Sequence, residues 1–548
     1  MIREGLNAMK KLNASITLLL LSSAVLSACS GKESGNSPSP EGSAGNSPGS
    51  TAAGSAAPDK SKRETIEIYS YTQNANASLP AGDSDFVKKA IEEKFNVNLK
   101  LTYNMLEGDD RYNKLNVRLA SNDSPDLVLA NGLKALEYKN NKMLVDLNEY
   151  IAPEKQPAYF KWFTPEVVFK RFSMDKTKPE IQRIPIPVLK KSPVSWYVRQ
   201  DWLDKLNLKV PANLEEFMKV AHAFTYDDPD GNGKKDTYGF SVSANGSGIT
   251  FDWPQWMANG IEGVLYVKDN KLVHFQMDYR VQDVLRDINK MVKDGSVDPD
   301  WFLQKGTAHI DKAIQGRVGM VRDYGGQFGL ASVPSSPAAR SKEVNPNAKW
   351  TAFNAIDGVP GFQENLPSLS VVVTKIAAKN KEKVETAFKI LDYLTSEEGY
   401  LLTHYGKEGV HYTRNGKVIT LIPEAMKRDF EDKGDWLKAI YQVFTPEEPE
   451  TLGFEVVDPR QTAEEREMLK KIKSYPISAP IGTNVSPPEG VDLVNQAKLE
   501  NETMAKIALG ELPAEQWKTV LDKILNEMGG QKLLDAYTEQ IRAAGAIK

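Results

Sequence analysis

The chain has 548 residues, of which 41% are hydrophobic and 26% charged, so it is long enough for more than one globular domain of ordinary composition. Its formal net charge of -4 provides no broad basic field, and we therefore expect no binding to nucleic acid. The single cysteine, Cys29, excludes an intrachain disulfide and a catalytic thiol in the folded part.

The N-terminal segment is typical of a secretory signal. Lys10 and Lys11 precede an apolar stretch over residues 16–21, and small residues lead to the tetrad LSAC at residues 26–29. The tetrad resembles the lipobox of bacterial lipoproteins, which predicts a signal peptide over residues 1–28 and acylation of Cys29, with palmitate among the expected groups. The alternative is an uncleaved membrane anchor, but the apolar run is short for a span of about 20 residues.

The next segment, residues 29–63, is expected to be a flexible tether that begins at the acylated cysteine. It consists almost entirely of Gly, Ser, Pro, Ala and Asn, which cannot bury enough apolar surface to fold. Gly45, Ser47 and Gly49 match the G-x-S-x-G pattern of hydrolases, but a nucleophile elbow needs a strand before it and a helix after it. We interpret the match as accidental.

Alternating strand and helix patterns begin at residue 66. The hydrophobic periodicity predicts a strand over 66–71, a helix over 85–95, a strand over 97–103, a helix around 112–119 and a strand over 126–130. Crossover helices between strands indicate a largely parallel sheet, which binds ligands beyond the carboxyl ends of its strands.

Further elements follow after a long stretch of mixed α/β sequence. A strand is predicted over 369–373, an amphipathic helix over 382–394, and helices in the C-terminal tail from residue 491 onward. The simplest arrangement is an α/β fold of two lobes, with the chain crossing between them more than once. The predicted boundaries are 64–186 and 367–412 for lobe 1, and 187–366 and 413–548 for lobe 2.

Several segments, taken together and in order, resemble the extracellular solute-binding lipoproteins of carbohydrate ABC importers, in particular the large subfamily that includes alginate-oligosaccharide binders. They are residues 119–126 (LASNDSPD), 144–150 (LVDLNEY), 196–206 (WYVRQDWLDKL), 228–236 (DPDGNGKKD), 405–412 (YGKEGVHY) and 507–510 (IALG). The resemblance implies a type II periplasmic-binding-protein fold, in which a hinge joins two lobes that close on a sugar.

The same resemblance implies the partners and the location of the chain. We expect a carbohydrate ligand, an ABC permease, and a lipid-anchored monomer on the outer face of the cell membrane of a Gram-positive bacterium. No chemical step on the ligand is expected.

Residues 228–236 match the first half of a calcium-binding loop. The side chains of Asp228, Asp230, Asn232 and Asp236 and the carbonyl of Lys234 occupy positions from which oxygen atoms wrap a hard cation. Position 12 of the pattern is Gly239 in place of the glutamate of an EF-hand. The related alginate binders carry a further acidic ligand where this chain has Thr237. The alternative is a polar turn without metal.

A sugar cleft needs aromatic platforms flanked by polar groups. Candidates are chosen at predicted strand ends and lobe crossings: Tyr71, Gln73, Asn74, Trp196, Tyr197, Arg199, Trp253, Trp256, Asp323, Tyr324, Tyr405 and Glu408. Arg199 is further expected either to pair with a uronate carboxylate or to form a salt bridge with Asp201 or Asp204.

Two other function classes remain open from the residues alone. A secreted glycoside hydrolase needs only two carboxylates at a set separation, which a sequence does not reveal. A receptor for peptides or other small solutes would use the same scaffold.

Overall fold

The computed structural model describes residues 63–547 apart from 76, 79, 81–83, 104, 176–179 and 447. The predicted signal peptide, Cys29 and nearly all of the tether lie outside the described residues. None of the described helices combines the length and the apolar character that a membrane span requires.

The strands are numbered in chain order. They are β1 (Glu64–Tyr69), β2 (Val97–Thr102), β3 (Leu127–Asn131), β4 (Ile184–Pro185), β5 (Ser195–Arg199), β6 (Tyr238–Phe240), β7 (Leu265–Lys268), β8 (Lys271–His274), β9 (Val318–Asp323), β10 (Trp350–Phe353), β11 (Leu369–Val372), β12 (Tyr412–Asn415), β13 (Val418–Leu421) and β14 (Glu455–Val457).

The α-helices are numbered in the same way. They are α1 (Phe86–Phe95), α2 (Asp109–Ala120), α3 (Gly132–Asn140), α4 (Gln200–Lys205), α5 (Leu214–Tyr226), α6 (Gln255–Ala258), α7 (Val281–Asp294), α8 (Ala308–Ile314), α9 (Pro337–Val344), α10 (Lys381–Leu394), α11 (Glu397–Tyr405), α12 (Pro423–Asp429), α13 (Ala463–Ser474), α14 (Leu493–Ala508), α15 (Gln516–Glu527) and α16 (Gly530–Ala543).

The first sheet has the strand order β2-β1-β3-β11-β4, with β1 parallel to β2 and β3, and β11 antiparallel to β3 and β4. Side chains that alternate along β1 and β3 enter two cores. Ile66, Ile68 and Leu129 pack with α1 and α10 on one face, and Tyr69 and Val128 pack with α2 and α3 on the other. Helices therefore cover both faces of this sheet.

The second sheet has the order β10-β5-β9-β6. Trp196 and Met320 point into a core shared with α4, α5 and α7, whereas Tyr197 and Val321 point into a core on the opposite face. The chain builds this sheet after β4 and then returns to the first sheet at β11. The predicted two-lobe α/β fold with repeated crossings is thus confirmed.

The lobe boundaries stay a prediction, but core packing favours one change. Phe430, Trp436 and the stretch from Leu437 to Phe444 belong to the same core as Ile66 and Leu129. Residues 430–444, which the sequence placed in lobe 2, therefore pack with the first sheet. Met504, Ile507 and Trp517 of the C-terminal helices lie in the core of the second sheet, as expected.

Candidate functional site

Two sheet edges flank the chain crossings. One crossing leads from the carboxyl end of β4 to the start of β5, and another leads from the end of β10 to the start of β11. The carboxyl ends of β1 and β3 lie on the first-sheet side, and Asp323, which ends β9, pairs with Ser195 on the second-sheet side. We name these the first edge and the second edge. They are where the two lobes meet a ligand in such α/β folds.

The crossings are joined to each other by hydrogen bonds. The Asn365 amide nitrogen donates to the Lys190 carbonyl at 2.9 Å, and its side chain donates to the Leu189 carbonyl at 2.7 Å. A third segment adds to them, since the Ser478 amide donates to the Phe362 carbonyl at 2.9 Å. The two crossings, bonded in this way to each other and to the segment at Ser478, form the hinge between the lobes.

The first edge carries a fixed carboxylate, Glu107. Its oxygens accept from Arg111 at 2.6 Å, from the Tyr112 hydroxyl at 2.5 Å and from the Asn131 side-chain amide at 3.0 Å. Arg111 is fully buried and also lies over the Tyr71 ring, 5.7 Å from its centroid. Burial, with the Glu107 charge, raises the pKa of Tyr71 to about 12. Tyr71 is therefore a neutral hydroxyl and ring beside a fixed anion.

The second edge carries an exposed aromatic ring, Tyr324. Its side chain is 48% exposed although it directly follows β9, and its hydroxyl donates to the Asp252 carboxylate. The Arg322 guanidinium lies 4.9 Å from the Tyr324 centroid and 4.5 Å from that of Trp196. Arg322 is buried, and its guanidinium approaches Asp252 at 3.5 Å. These contacts hold the tyrosine ring in one orientation with one face open.

A histidine and a carboxyl group lie beside this ring. His309 Nδ1 is 2.8 Å from the Ser243 hydroxyl. Burial lowers the pKa of His309, and the charges of Asp252 and Asp323 offset part of this shift. Burial raises the pKa of Asp323, although hydrogen bonds from the backbone amides of Gly325 and Tyr324 act in the opposite direction. Both groups are thereby shifted toward their neutral forms, which donate to and accept from hydroxyl groups.

The Ser243–His309 pair does not form a hydrolase triad. A triad requires a carboxylate hydrogen-bonded to the second ring nitrogen of the histidine. Here His309 makes a backbone hydrogen bond with Arg322. The arrangement therefore suits the binding of a polar ligand more than the activation of a nucleophile.

Three predicted cleft residues, Tyr71, Asp323 and Tyr324, lie at the two edges. Gln73 and Asn74 follow Tyr71 and are held against another segment, because the Gln73 amide donates to Ala439 at 2.9 Å and the Asn74 side chain to Gly434 at 3.1 Å. Their contact with a ligand stays a prediction.

Five predicted cleft residues are buried instead, and this corrects their expected role. They are Trp196, Tyr197, Arg199, Trp253 and Trp256, each no more than 2% exposed. A ring without open surface cannot stack on a sugar. Arg199 forms the salt bridge that was one of its two alternatives, with Nε 2.8 Å and Nη2 2.5 Å from the Asp201 carboxylate.

Tyr405 and Glu408 lie elsewhere in the first lobe. Tyr405 packs against a small core with Tyr400 and Tyr412, and burial raises its pKa. Glu408 is exposed in the turn before β12. A ligand contact of either residue stays a prediction.

Sequence reasoning missed Glu107, Asp252, His309 and Ser243. Asp252 lies in the aromatic segment FDWPQW, in which the two tryptophans were predicted as cleft residues and Asp252 was not. Apolar rings more often enter a core. Ser243 and His309 are 66 residues apart, and no local pattern joins them. The sequence gives only a weak indication of Glu107, which lies just before α2 and four residues before Arg111, at the spacing of an ion pair.

Hydrogen bonds within the loop of residues 228–236 link several of the expected oxygen donors. Asp228 accepts from the amides of Gly231 at 3.0 Å and Gly233 at 3.2 Å, while the Asn232 side-chain amide donates to Asp230 at 2.6 Å and to Asp236 at 3.2 Å. Burial, together with the charges of Asp236 and Asp228, raises the pKa of Asp230. Such mutual repulsion is what a cation would relieve.

Two observations limit the loop as a metal centre. Among the side chains that the structure describes, no three of His, Cys, Asp or Glu converge closely enough to hold a metal ion. Thr237 is buried and donates its hydroxyl to the Phe224 carbonyl at 2.8 Å, so it is no ligand. The loop still fits calcium by donor type, with Asp228, Asp230, Asn232, Asp236 and the Lys234 carbonyl as the available set.

The chain resembles known proteins over nearly its whole length. The family model described as bacterial extracellular solute-binding protein matches residues 76–400. The polygalacturonan/rhamnogalacturonan-binding protein YtcQ of Bacillus subtilis (strain 168) is 23% identical over 547 residues, which cover 96% of this chain and 98% of that protein.

Solved structures share the fold. An HMO binding ABC-transporter associated solute-binding protein from Bifidobacterium longum infantis ATCC 15697 superposes with a TM-score of 0.67 at 16% identity, covering 89% of this chain and 100% of the other. The alginate-binding protein AlgQ2, in a structure without calcium ion, superposes with a TM-score of 0.62 at 18% identity, covering 88% and 98%.

Proposed function

Because the chain belongs to the family of bacterial extracellular solute-binding proteins, we propose that it captures an oligosaccharide outside the cell and delivers it to the membrane subunits of an ABC importer. The observation that carries the proposal is the exposed Tyr324 ring beside Asp252, Asp323 and His309 at the second edge. Sugars present apolar C–H faces and hydroxyl edges, and this combination of one open ring and several polar groups is complementary to both.

The first edge supplies the second half of the proposed site. Glu107 has three donors that fix its carboxylate, and the neutral Tyr71 lies beside them. A ligand held by Tyr324 on one lobe and by Glu107 and Tyr71 on the other would favour the closed arrangement, because only that arrangement offers both sets of contacts. No covalent step is needed.

The names of the relatives support a carbohydrate ligand. One relative is named for binding polygalacturonan and rhamnogalacturonan, and one solved structure of the same fold is an alginate-binding protein. The proposed arrangement in the cell is a monomer held by lipid on Cys29, with residues 30–63 long enough to let the two lobes reach the permease.

Calcium in the loop of residues 228–236 is a further part of the proposal. Asp228, Asp230, Asn232 and Asp236 would hold the ion with the Lys234 carbonyl, and the ion would supply positive charge among repelling carboxylates. Its role would be to fix the connection between α5 and β6, remote from any ligand chemistry.

A thermal-shift screen against oligosaccharides tests the proposed function. A ligand present at about 100 times its Kd stabilises the folded state by about 2.7 kcal/mol, which is readily seen as a rise in Tm. We expect at least one carbohydrate to raise the Tm and to be recovered with unchanged mass. If peptides raise the Tm and no carbohydrate does, or if the sugar is cleaved, the proposal is wrong.

A further inference from the structure

Arg183 is a buried cation at the first edge. It directly precedes β4 and is 4% exposed. A Cβ atom placed on Gly132 would lie 3.7 Å from Arg183 Nη1. Gly132 begins α3 immediately after β3, so the guanidinium lies beside the carboxyl end of a central strand and close to Asn131, which is hydrogen-bonded to Glu107.

Among the described residues, the charge of Arg183 has no counterion. Its Nε–H donates to the Phe172 carbonyl at 3.0 Å. Within the part of the chain that the structure describes, its two terminal nitrogens have no acceptor, and no carboxylate lies within 4.0 Å of them. Burial alone lowers the pKa of Arg183 to about 10, without any opposing acid. Removing a cation from water without a partner costs several kcal/mol, so the position is suited to an anion that arrives from outside.

The start of α3 adds positive potential at the same place. The Gly132 amide donates to the Ser368 carbonyl and the Lys134 amide to the Asn131 side chain, which leaves the Leu133 amide without a described acceptor. The positive end of a helix dipole beside an unpaired guanidinium repels other cations and attracts an anion.

We propose that Arg183, with the N-terminus of α3, binds the carboxylate of a uronic acid residue, so that the ligand is an acidic oligosaccharide. This inference rests on the proposed function and names its substrate class. A planar guanidinium with two free N–H groups matches a carboxylate bidentately. The two other buried arginines described at the edges are already occupied: Arg111 by Glu107, and Arg322 by the Phe251 and Gly361 carbonyls and by Asp252.

Isothermal titration with three probes tests the inference: a tri-uronide in its free-acid form, its full methyl ester, and a sulfated neutral trisaccharide. We expect the wild-type protein to bind the free acid about tenfold to a hundredfold more tightly than the ester, which is the usual strength of a charge-assisted bidentate pair. Arg183→Gln should remove this preference while the affinity for the ester changes less than about twofold.

Arg171→Gln is the matched control, because it removes a nearby arginine that is partly exposed and paired with Glu166. It should leave all three affinities unchanged. Arg183→Lys keeps the charge and loses the planar fork, and it should recover only part of the preference. If circular dichroism shows that Arg183→Gln does not fold, the inference is tested by two other results. These are the preference of the wild type for the acid over the ester and the partial loss of that preference in Arg183→Lys.

The outcomes are distinct. Equal binding of acid and ester by the wild type overturns the inference and leaves a carbohydrate receptor standing. A preference for the sulfated sugar, or a preference for the acid that survives in Arg183→Gln, also overturns it. Failure of every carbohydrate to bind contradicts the proposed function and the inference with it.

Discussion

Tyr324 is the side chain on which stacking of a sugar ring is tested most simply, since its ring is open while its hydroxyl and one face are held by Asp252 and Arg322. Tyr324→Ala should weaken oligosaccharide binding about tenfold, which corresponds to about 1.4 kcal/mol. Titration calorimetry measures the change.

Tyr279 provides a matched control for that substitution. It is 50% exposed and donates its hydroxyl to Asp522 at 2.6 Å, so it has nearly the same exposure and the same kind of partner. Tyr279→Ala should leave the affinity unchanged. Equal losses in the two variants would mean that Tyr324 acts through stability and does not contact the ligand.

Glu500 is a buried carboxyl group on α14, and one of its oxygens has no hydrogen-bond partner among the described residues. Burial raises its pKa to about 7. Because the folded state then binds the proton more tightly than the unfolded state, the contribution of Glu500 to stability is complete below about pH 4.5 and is lost as the pH rises through about 7.

Replacing Glu500 with Gln should therefore raise the free energy of unfolding at pH 8 by about 2 kcal/mol, and the difference should shrink toward pH 4.5. Denaturant unfolding at both pH values measures it. Glu502→Gln, an exposed change on the same helix, should be neutral at both. A Glu500→Gln variant no more stable than the wild type at pH 8 would show that the carboxyl group is not held protonated.

The loop between α5 and β6 holds the proposed calcium site, which would make the stability of the fold depend on calcium. Chelator should lower the Tm, and added calcium should restore it, because an ion that binds only the folded state stabilises it by mass action. Differential scanning fluorimetry with and without a chelator measures the shift.

Asp230→Asn removes a carboxylate from the calcium set and should abolish the response. Asp227→Asn removes the neighbouring exposed carboxylate, which ends α5 and lies outside the set, and it should leave the response intact. A Tm that ignores calcium in the wild-type protein would end the assignment.

Several strands and helices of the fold were predictable from the sequence. The strand expected over 66–71 is β1 at Glu64–Tyr69, and the helix expected over 382–394 is α10 at Lys381–Leu394, since hydrophobic periodicity reports directly which face of an element is buried. The return of the chain to the first sheet was also predictable, because β11 reads as a buried strand after a long insertion.

The site was less predictable for a physical reason. Trp253 and Trp256 have the composition of sugar platforms but lie in a core, and only tertiary packing distinguishes the two cases. Arg183 and Gly132 are 51 positions apart, and only the folded structure shows that no described carboxylate pairs with Arg183.

At the scale of the whole molecule, two α/β lobes are joined by two crossings that are hydrogen-bonded to each other at Asn365. Hinge closure would bring the first edge and the second edge onto one ligand, and the gain in contacts would favour the closed arrangement.

Small-angle X-ray scattering with and without a saturating oligosaccharide measures closure of the two lobes in solution. We expect the radius of gyration to fall when the sugar binds and to return to its starting value when the sugar is removed intact. A radius of gyration that does not change at full occupancy would contradict this closure.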